Sequence, residues 1–231
     1  MSGPIRVLIA EDQRLLRASL ETLLGAEHGM EVVGAVGSGA EAVEAASRLR
    51  PDVVLMDIQM PGMDGIGATA RLCADPALAG TRVLILTMFE VDDYVLGAMR
   101  AGASGFLLKD AEPQALIDAV RTVHAGQALL SPTALARLMA HADRPGADGG
   151  ALGREGSRGQ SASAIASLTP RQREVLVLIA RGLSNAEIEE ALGITRATCR
   201  THITALLARL GARDRAQLVI AAYGAGLVAP R

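Results

Sequence analysis

Residues 52–65 read Asp52-Val-Val-Leu-Met-Asp57-Ile-Gln-Met-Pro-Gly-Met-Asp-Gly65. A short β-rich run over Asp52–Met56 ends in an acid, and a helical pattern begins near Gly65, which makes one strand–helix unit. The unit recurs on both sides. Ile5–Ala10, Val32–Val36, Val83–Thr87 and Gly105–Leu108 are further β-rich runs, and helical patterns lie near Gln13–Leu24, Ala40–Leu49, Asp92–Ala101 and Pro113–Ala125. Five such units in succession predict an α/β domain over residues 1–125. Its sheet has five parallel strands in the flavodoxin-like order, with helices on both faces.

Beyond this domain the pattern changes. Ser131 and Pro132 can open a short helix near residues 132–141, and residues 143–167 are rich in Gly, Ser, Ala and Arg with no apolar period. Residues 126–167 therefore read as a linker. Its flexible part has a root-mean-square reach of roughly 25–30 Å. Residues 168–231 carry only helix signals. Thr169 to Gln172 and Ser184 to Glu187 are capping boxes, Thr195 and Asp214 are further caps, and Gly182, Gly193 and Gly211 are stops. They predict a separate all-α domain of four short helices, of the helix-turn-helix kind.

Charge follows the same division. Residues 1–125 hold ten basic and seventeen acidic side chains, a net of −7. Residues 168–231 hold nine basic and five acidic, a net of +4. The first balance suits a cation and the second a polyanion. Cys73 and Cys199 fall in different domains and read as buried free thiols. Charges or glycines interrupt every apolar run, so neither a membrane span nor a signal segment is expected, and the chain reads as cytoplasmic.

Ligands of open α/β sheets bind beyond the carboxyl ends of the strands. There the sequence places Glu11 and Asp12, Asp57, Thr87 and Lys109, the only lysine in the chain. Three hard oxygen donors suit Mg²⁺, a carboxylate beside it can accept a phosphoryl group, and an ammonium offsets phosphoryl charge. Other chemistries fare worse. Asp57-Ile-Gln lacks the second Asp of a haloacid dehalogenase-like phosphatase, no glycine-rich phosphate loop follows the first strand, and His28, His124, His141 and His202 lack metal-ligand spacing. In the third helix of the tail, Cys199, Ile203, Leu206, Leu207 and Leu210 form an apolar stripe opposite Arg196, Arg200, Thr201 and Thr204. Such a face suits base and phosphate contacts in a DNA groove, or else a solvated face of a protein-binding module.

The segments Ile9-Ala-Glu-Asp12, Val54 to Gly65, Leu84-Ile-Leu-Thr87 and Ala101 to Lys109 resemble receiver domains of the NarL/FixJ class of two-component response regulators. Leu168 to Leu176, Gly182 to Ile188 and Thr198 to His202 resemble the LuxR-type helix-turn-helix of the same class. The first likeness implies that Asp57 takes a phosphoryl group from a sensor histidine kinase. Glu11, Asp12, Asp57 and the Gln59 backbone carbonyl would hold Mg²⁺. Lys109 would pair with the phosphate, Thr87 would swing toward it, and Phe106 would fill the aromatic switch position by packing alone. Phe89 would shield the acyl phosphate from water. The second likeness implies double-stranded DNA as partner. Arg200, Thr201 and Thr204 would touch bases, and Arg196, Thr198, Arg213 and Arg215 would touch phosphates. The exposed apolar part of the fourth helix would help pair two tails. A homodimer on phosphorylation or DNA binding and a contact with RNA polymerase are further expectations. No enzymatic activity is expected beyond the receiver's own phosphorylation and dephosphorylation. A phosphorylation-independent DNA-binding regulator with a degenerate receiver is the alternative, and a phosphotransfer or protein-interaction module without a DNA target is a third reading.

Overall fold

The computed structural model describes residues 3–88, 92–127 and 165–228. The chain divides near residue 129 into two compact units. The short helix expected near residues 132–141 and the shielding role expected of Phe89 lie outside the described residues.

In the first unit five strands, β1 (Ile5–Ala10), β2 (Met30–Val36), β3 (Val53–Asp57), β4 (Arg82–Thr87) and β5 (Gly105–Leu108), alternate with five helices. These are α1 (Arg14–Gly25), α2 (Gly39–Leu49), α3 (Gly65–Ala74), α4 (Asp92–Arg100) and α5 (Pro113–His124). All strand pairs are parallel, and the order is β2-β1-β3-β4-β5, as the alternation predicts. The central strands are continuous apolar runs because helices cover both faces. Val7, Ile9, Val53, Leu55, Leu84 and Leu86 share one core cluster with Leu20 and Leu24 of α1 and Leu116, Ile117 and Val120 of α5. Leu8, Val54, Met56 and Ile85 point the other way and are fully buried too. On that side α2, α3 and α4 contact one another in series. Each fully buried aliphatic side chain contributes about 2 kcal/mol by leaving water.

Register brings the strand ends to one level. Ala10 pairs with Met56, Asp57 with Leu86, and Thr87 with Leu108. The residues that close β1, β3, β4 and β5 therefore share one rim, where the polar residues named above stand.

The second unit holds α6 (Pro170–Ala180), α7 (Asn185–Leu192), α8 (Arg196–Leu210) and α9 (Arg215–Gly224). Both capping boxes form. Thr169 accepts from the Gln172 N–H and Ser184 from the Glu187 N–H, and each N3 side chain returns the bond. Thr195 and Asp214 cap α8 and α9. Val175, Leu176 and Ile179 of α6, Ile188 of α7, Leu206 of α8 and Leu218 of α9 are fully buried in its core.

Four expectations need correction. Packed structure begins before Leu168, since Ile165 is 4% exposed and its carbonyl accepts from Arg173. Only Cys199 and Leu206 of the α8 stripe are buried; Ile203, Leu207 and Leu210 are half-buried because a small helical unit covers one side of α8 only in part. Of the α9 residues offered for contacts, Leu218, Val219 and Ala222 are buried within the unit, where α9 packs on α6, and Tyr223 is half-buried. Cys73 is half-buried rather than buried, and both cysteines are free thiols.

Candidate functional site

Glu11 and Asp57 are nearly excluded from water at this rim, with exposures of 0% and 3%. Burying a carboxylate costs several kcal/mol unless it is compensated. The compensation is Lys109, whose Nζ lies 2.8 Å from Glu11 Oε2 and 2.9 Å from Asp57 Oδ2. Its backbone N–H donates to the Thr87 carbonyl at 2.8 Å, which fixes the lysine as it leaves β5. Burial pulls the Lys109 ammonium down, but the two carboxylates beside it outweigh that and hold the group above its ordinary value. Burial, helped by the Asp57 charge, pushes the Glu11 carboxyl up against the opposing pull of Lys109.

The carboxylate oxygens of Glu11, Asp12 and Asp57 lie within 4.8 Å of one another. An octahedral Mg²⁺ with ligands at about 2.1 Å spans about 4.2 Å across, so three such oxygens can reach one ion with small movements. The donor set also suits a dication in charge: three carboxylates and one ammonium leave −2 at the rim. Glu11 Oε2 is buried and, despite the ion-pair contact, has no hydrogen bond of good geometry. The residues present fit a hard divalent cation. Gln59 follows Asp57 in the loop, and its N–H donates to Asp57 Oδ1 at 3.3 Å. Thr87 is buried at the same rim, and Phe106 is half-buried on β5, level with Ile85.

Two residues of this site have no role in the sequence reading. A Cβ on Gly65 would lie 1.9 Å from the Asp57 carbonyl oxygen, so only glycine lets α3 start against the backbone of the acidic strand end. Glycine is a poor helix residue, and its place at a helix start is the signal that could have shown this. Arg17 of α1 donates to the Glu11 carbonyl at 2.5 Å and holds the loop that carries Glu11 and Asp12; an arginine on a helix gives no such signal.

In the tail, Arg196, Thr198, Arg200, Thr201 and Thr204 are all exposed along α8. Thr198 Oγ1 lies 3.0 Å from Thr195 Oγ1, and the Thr201 hydroxyl donates to the Ala197 carbonyl at 3.0 Å. Arg213 is half-buried. Arg215, expected as a phosphate contact, is half-buried and has acceptors within the unit. Its guanidinium donates to Asn185 Oδ1 at 2.9 Å and to the Leu183 carbonyl, because the first turn of α9 lies against the start of α7.

Comparison with known proteins agrees with both units. A family model described as the response regulator receiver domain matches residues 7–121, and one described as bacterial regulatory proteins of the luxR family matches residues 166–222. The transcriptional regulatory protein LiaR of Bacillus subtilis is 38% identical, with 97% of this chain and 99% of LiaR covered. The response regulator protein VraR of Staphylococcus aureus is 34% identical over the same shares. The solved response regulator ChrA of a heme-sensing two-component system is 32% identical, with a TM-score of 0.50 over 98% of this chain and all of that one. The receiver domain of a putative response regulator NarL from Mycobacterium tuberculosis is 33% identical, with a TM-score of 0.52 over 55% of this chain and all of that one. Among the described residues no helix is long and apolar enough to cross a membrane. With a receiver carrying an acidic strand-end site and a LuxR-type helical tail, the chain belongs to the NarL/FixJ-type response regulators of two-component transcription regulation.

Proposed function

We propose that Asp57 accepts a phosphoryl group from a phosphohistidine of a sensor histidine kinase, and that this event controls DNA binding by the tail. The observation that carries the reading is Asp57 Oδ2 held 2.9 Å from the only lysine, beside two further carboxylates at the strand ends. An Asp57 oxygen attacks phosphorus, the P–N bond breaks as the O–P bond forms, and the imidazole leaves and takes a proton. Glu11, Asp12, Asp57 and the Gln59 carbonyl would hold Mg²⁺, which when bound would neutralise phosphoryl charge. Lys109 pairs with a phosphoryl oxygen, and the Thr87 hydroxyl turns toward another. Phe106 has no hydroxyl, so it follows by repacking alone. Water attack on the acyl phosphate resets the site. These are the receiver's own reactions, and it turns over no external substrate.

Phosphorylated receivers then pair, and two tails bind double-stranded DNA together. In support, the exposed large apolar side chains of the described residues, Leu15, Met88 and Tyr94, all lie on the receiver, whereas α9 keeps its leucine and valine inside. On DNA, Arg200, Thr201 and Thr204 read bases while Arg196, Thr198 and Arg213 hold phosphates. The bound dimer contacts RNA polymerase, and the protein works in the cytoplasm. Moving populations from 1:99 to 99:1 requires about 5.5 kcal/mol of bias from the phosphoryl group.

Intact mass after treatment with acetyl phosphate and Mg²⁺, for wild type and Asp57→Ala side by side, tests the first step. A gain of one phosphoryl group in wild type only is expected. Equal DNA affinity with and without the phosphoryl donor, in protein shown to be phosphorylated, would instead favour a phosphorylation-independent regulator.

A further inference from the structure

Three helices of the tail meet at one residue. Asn185, first in α7, accepts from Arg215 of α9 through its side chain, at 2.9 Å from Nη1. Its backbone carbonyl faces the thiol of Cys199 of α8, with Sγ at 3.9 Å. Arg215 Nη2 donates to the Leu183 carbonyl, so the guanidinium spans both neighbours of Ser184, the cap of α7. Burial pulls the guanidinium below its ordinary value, so this placement works against the charge and is sustained by the two acceptors. Cys199 is 1% exposed and Arg200 beside it is exposed. Asn185 thus stands against the stretch of α8 that carries the residue expected to read bases.

We propose that Arg215 is a positioning residue of the DNA interface: acting through Asn185 and Leu183, it sets how α7 seats against the recognition helix α8, and it does not touch a DNA phosphate. The inference rests on the reading that the tail binds DNA. A planar fork that must reach two acceptors is specific to arginine, since lysine offers a single point donor. Recognition geometry tolerates displacement of about 0.5 Å, so a loosened α7 start costs specific contacts before it costs charge.

The test uses the full chain, treated with acetyl phosphate and Mg²⁺. The probes are a duplex enriched by wild type from a random-sequence library and a scrambled duplex of the same length, titrated across salt concentrations. Arg215→Met and Asn185→Ala are each expected to weaken the enriched duplex about tenfold, the scale of one lost charge-assisted hydrogen bond. The double variant should bind no more weakly than Arg215→Met alone, because that change already removes the link to Asn185. Binding to the scrambled duplex and the salt slope should stay at wild-type values, and Arg215→Lys should not rescue.

A phosphate contact gives a different pattern: both duplexes weaken alike, the salt slope falls by about one for each tail, Asn185→Ala is silent, and Arg215→Lys restores binding. Any of these overturns the proposal. Amide exchange without DNA separates it from general destabilisation. In Arg215→Met, exchange should accelerate at Glu187 and Ile188 in the first turn of α7 while α6 keeps its protection. Loss of protection throughout the tail, or none at α7, overturns it. Should wild type enrich no duplex, the DNA-binding reading fails, and the exchange experiment still decides whether Arg215 holds α7.

Discussion

The receiver rim and the recognition face of the tail both depend on charged side chains, and they use them in opposite ways. At the rim Glu11, Asp57 and the Lys109 side chain are nearly excluded from water and answer one another within 2.9 Å. On α8, Arg196 and Arg200 stand exposed. The other tail arginines divide further: Arg171, Arg173, Arg209 and Arg215 donate to the backbone carbonyls of Leu192, Ile165, Ser167 and Leu183. The tail's net of +4 thus counts guanidiniums already engaged in holding its helices. A charge inside the receiver is explained by its partner, whereas a charge on the tail has to be sorted by what it touches before it can be credited to DNA.

The sharpest way to break this contrast is Lys109→Met. Two buried carboxylates would lose their counter-charge, and the metal-free receiver is expected to lose about 3 kcal/mol of stability in urea unfolding at neutral pH. The contribution has a definite pH sign. The Lys109 value is raised in the folded protein, so the folded state binds more protons in that window. Its stabilisation is complete below the unfolded value of about 10.4 and is lost as pH rises through the folded one. Unfolding midpoints that fall above pH 10 in wild type and stay flat in the variant would bear this out. Gly65→Ala forces a Cβ into the Asp57 carbonyl. A stability loss of about 2 kcal/mol, with slower phosphorylation by acetyl phosphate, is expected from unfolding curves and mass measurements.

On the tail the expected effects fall mainly on binding. Arg200→Ala should cost about 1–3 kcal/mol on the enriched duplex and relax preference at one base position. Arg196→Ala should weaken all duplexes alike and lower the salt slope by about one, as binding isotherms across salt will read. The smallest change is Ser184→Ala, which removes the α7 cap for about 1 kcal/mol of tail stability, followed by thermal unfolding.

The sequence made the periodic parts of this molecule legible. Alternating β-rich and helical runs carry the five-stranded order, and the register that lines up Ala10, Asp57 and Thr87 turns strand-end residues into a site. The carboxylates were visible because acids at the ends of apolar runs need a reason to be there. What escaped depends on through-space approach. Gly65 matters because a carbonyl lies where its side chain would be. Arg215 looks like any other arginine in a basic tail until Leu183 and Asn185 are seen beside it. The burial of Leu218 and Val219 also escaped, because sequence does not say which helix covers that side of α9.

The sheet order has a consequence during synthesis. Strand β1, at whose end Glu11 stands, is complete on both edges once β3 has emerged. Lys109 follows only after β5, at the far edge of the sheet. At translation rates of about 5–20 residues per second, roughly 5–20 s separate the emergence of the acid from that of its partner. For that interval the nascent chain holds acids whose burial has no counter-charge. Stable closure of the apolar sheet around them therefore waits for the last strand, and a ribosome stalled before Lys109 would leave a receiver that has collapsed without locking.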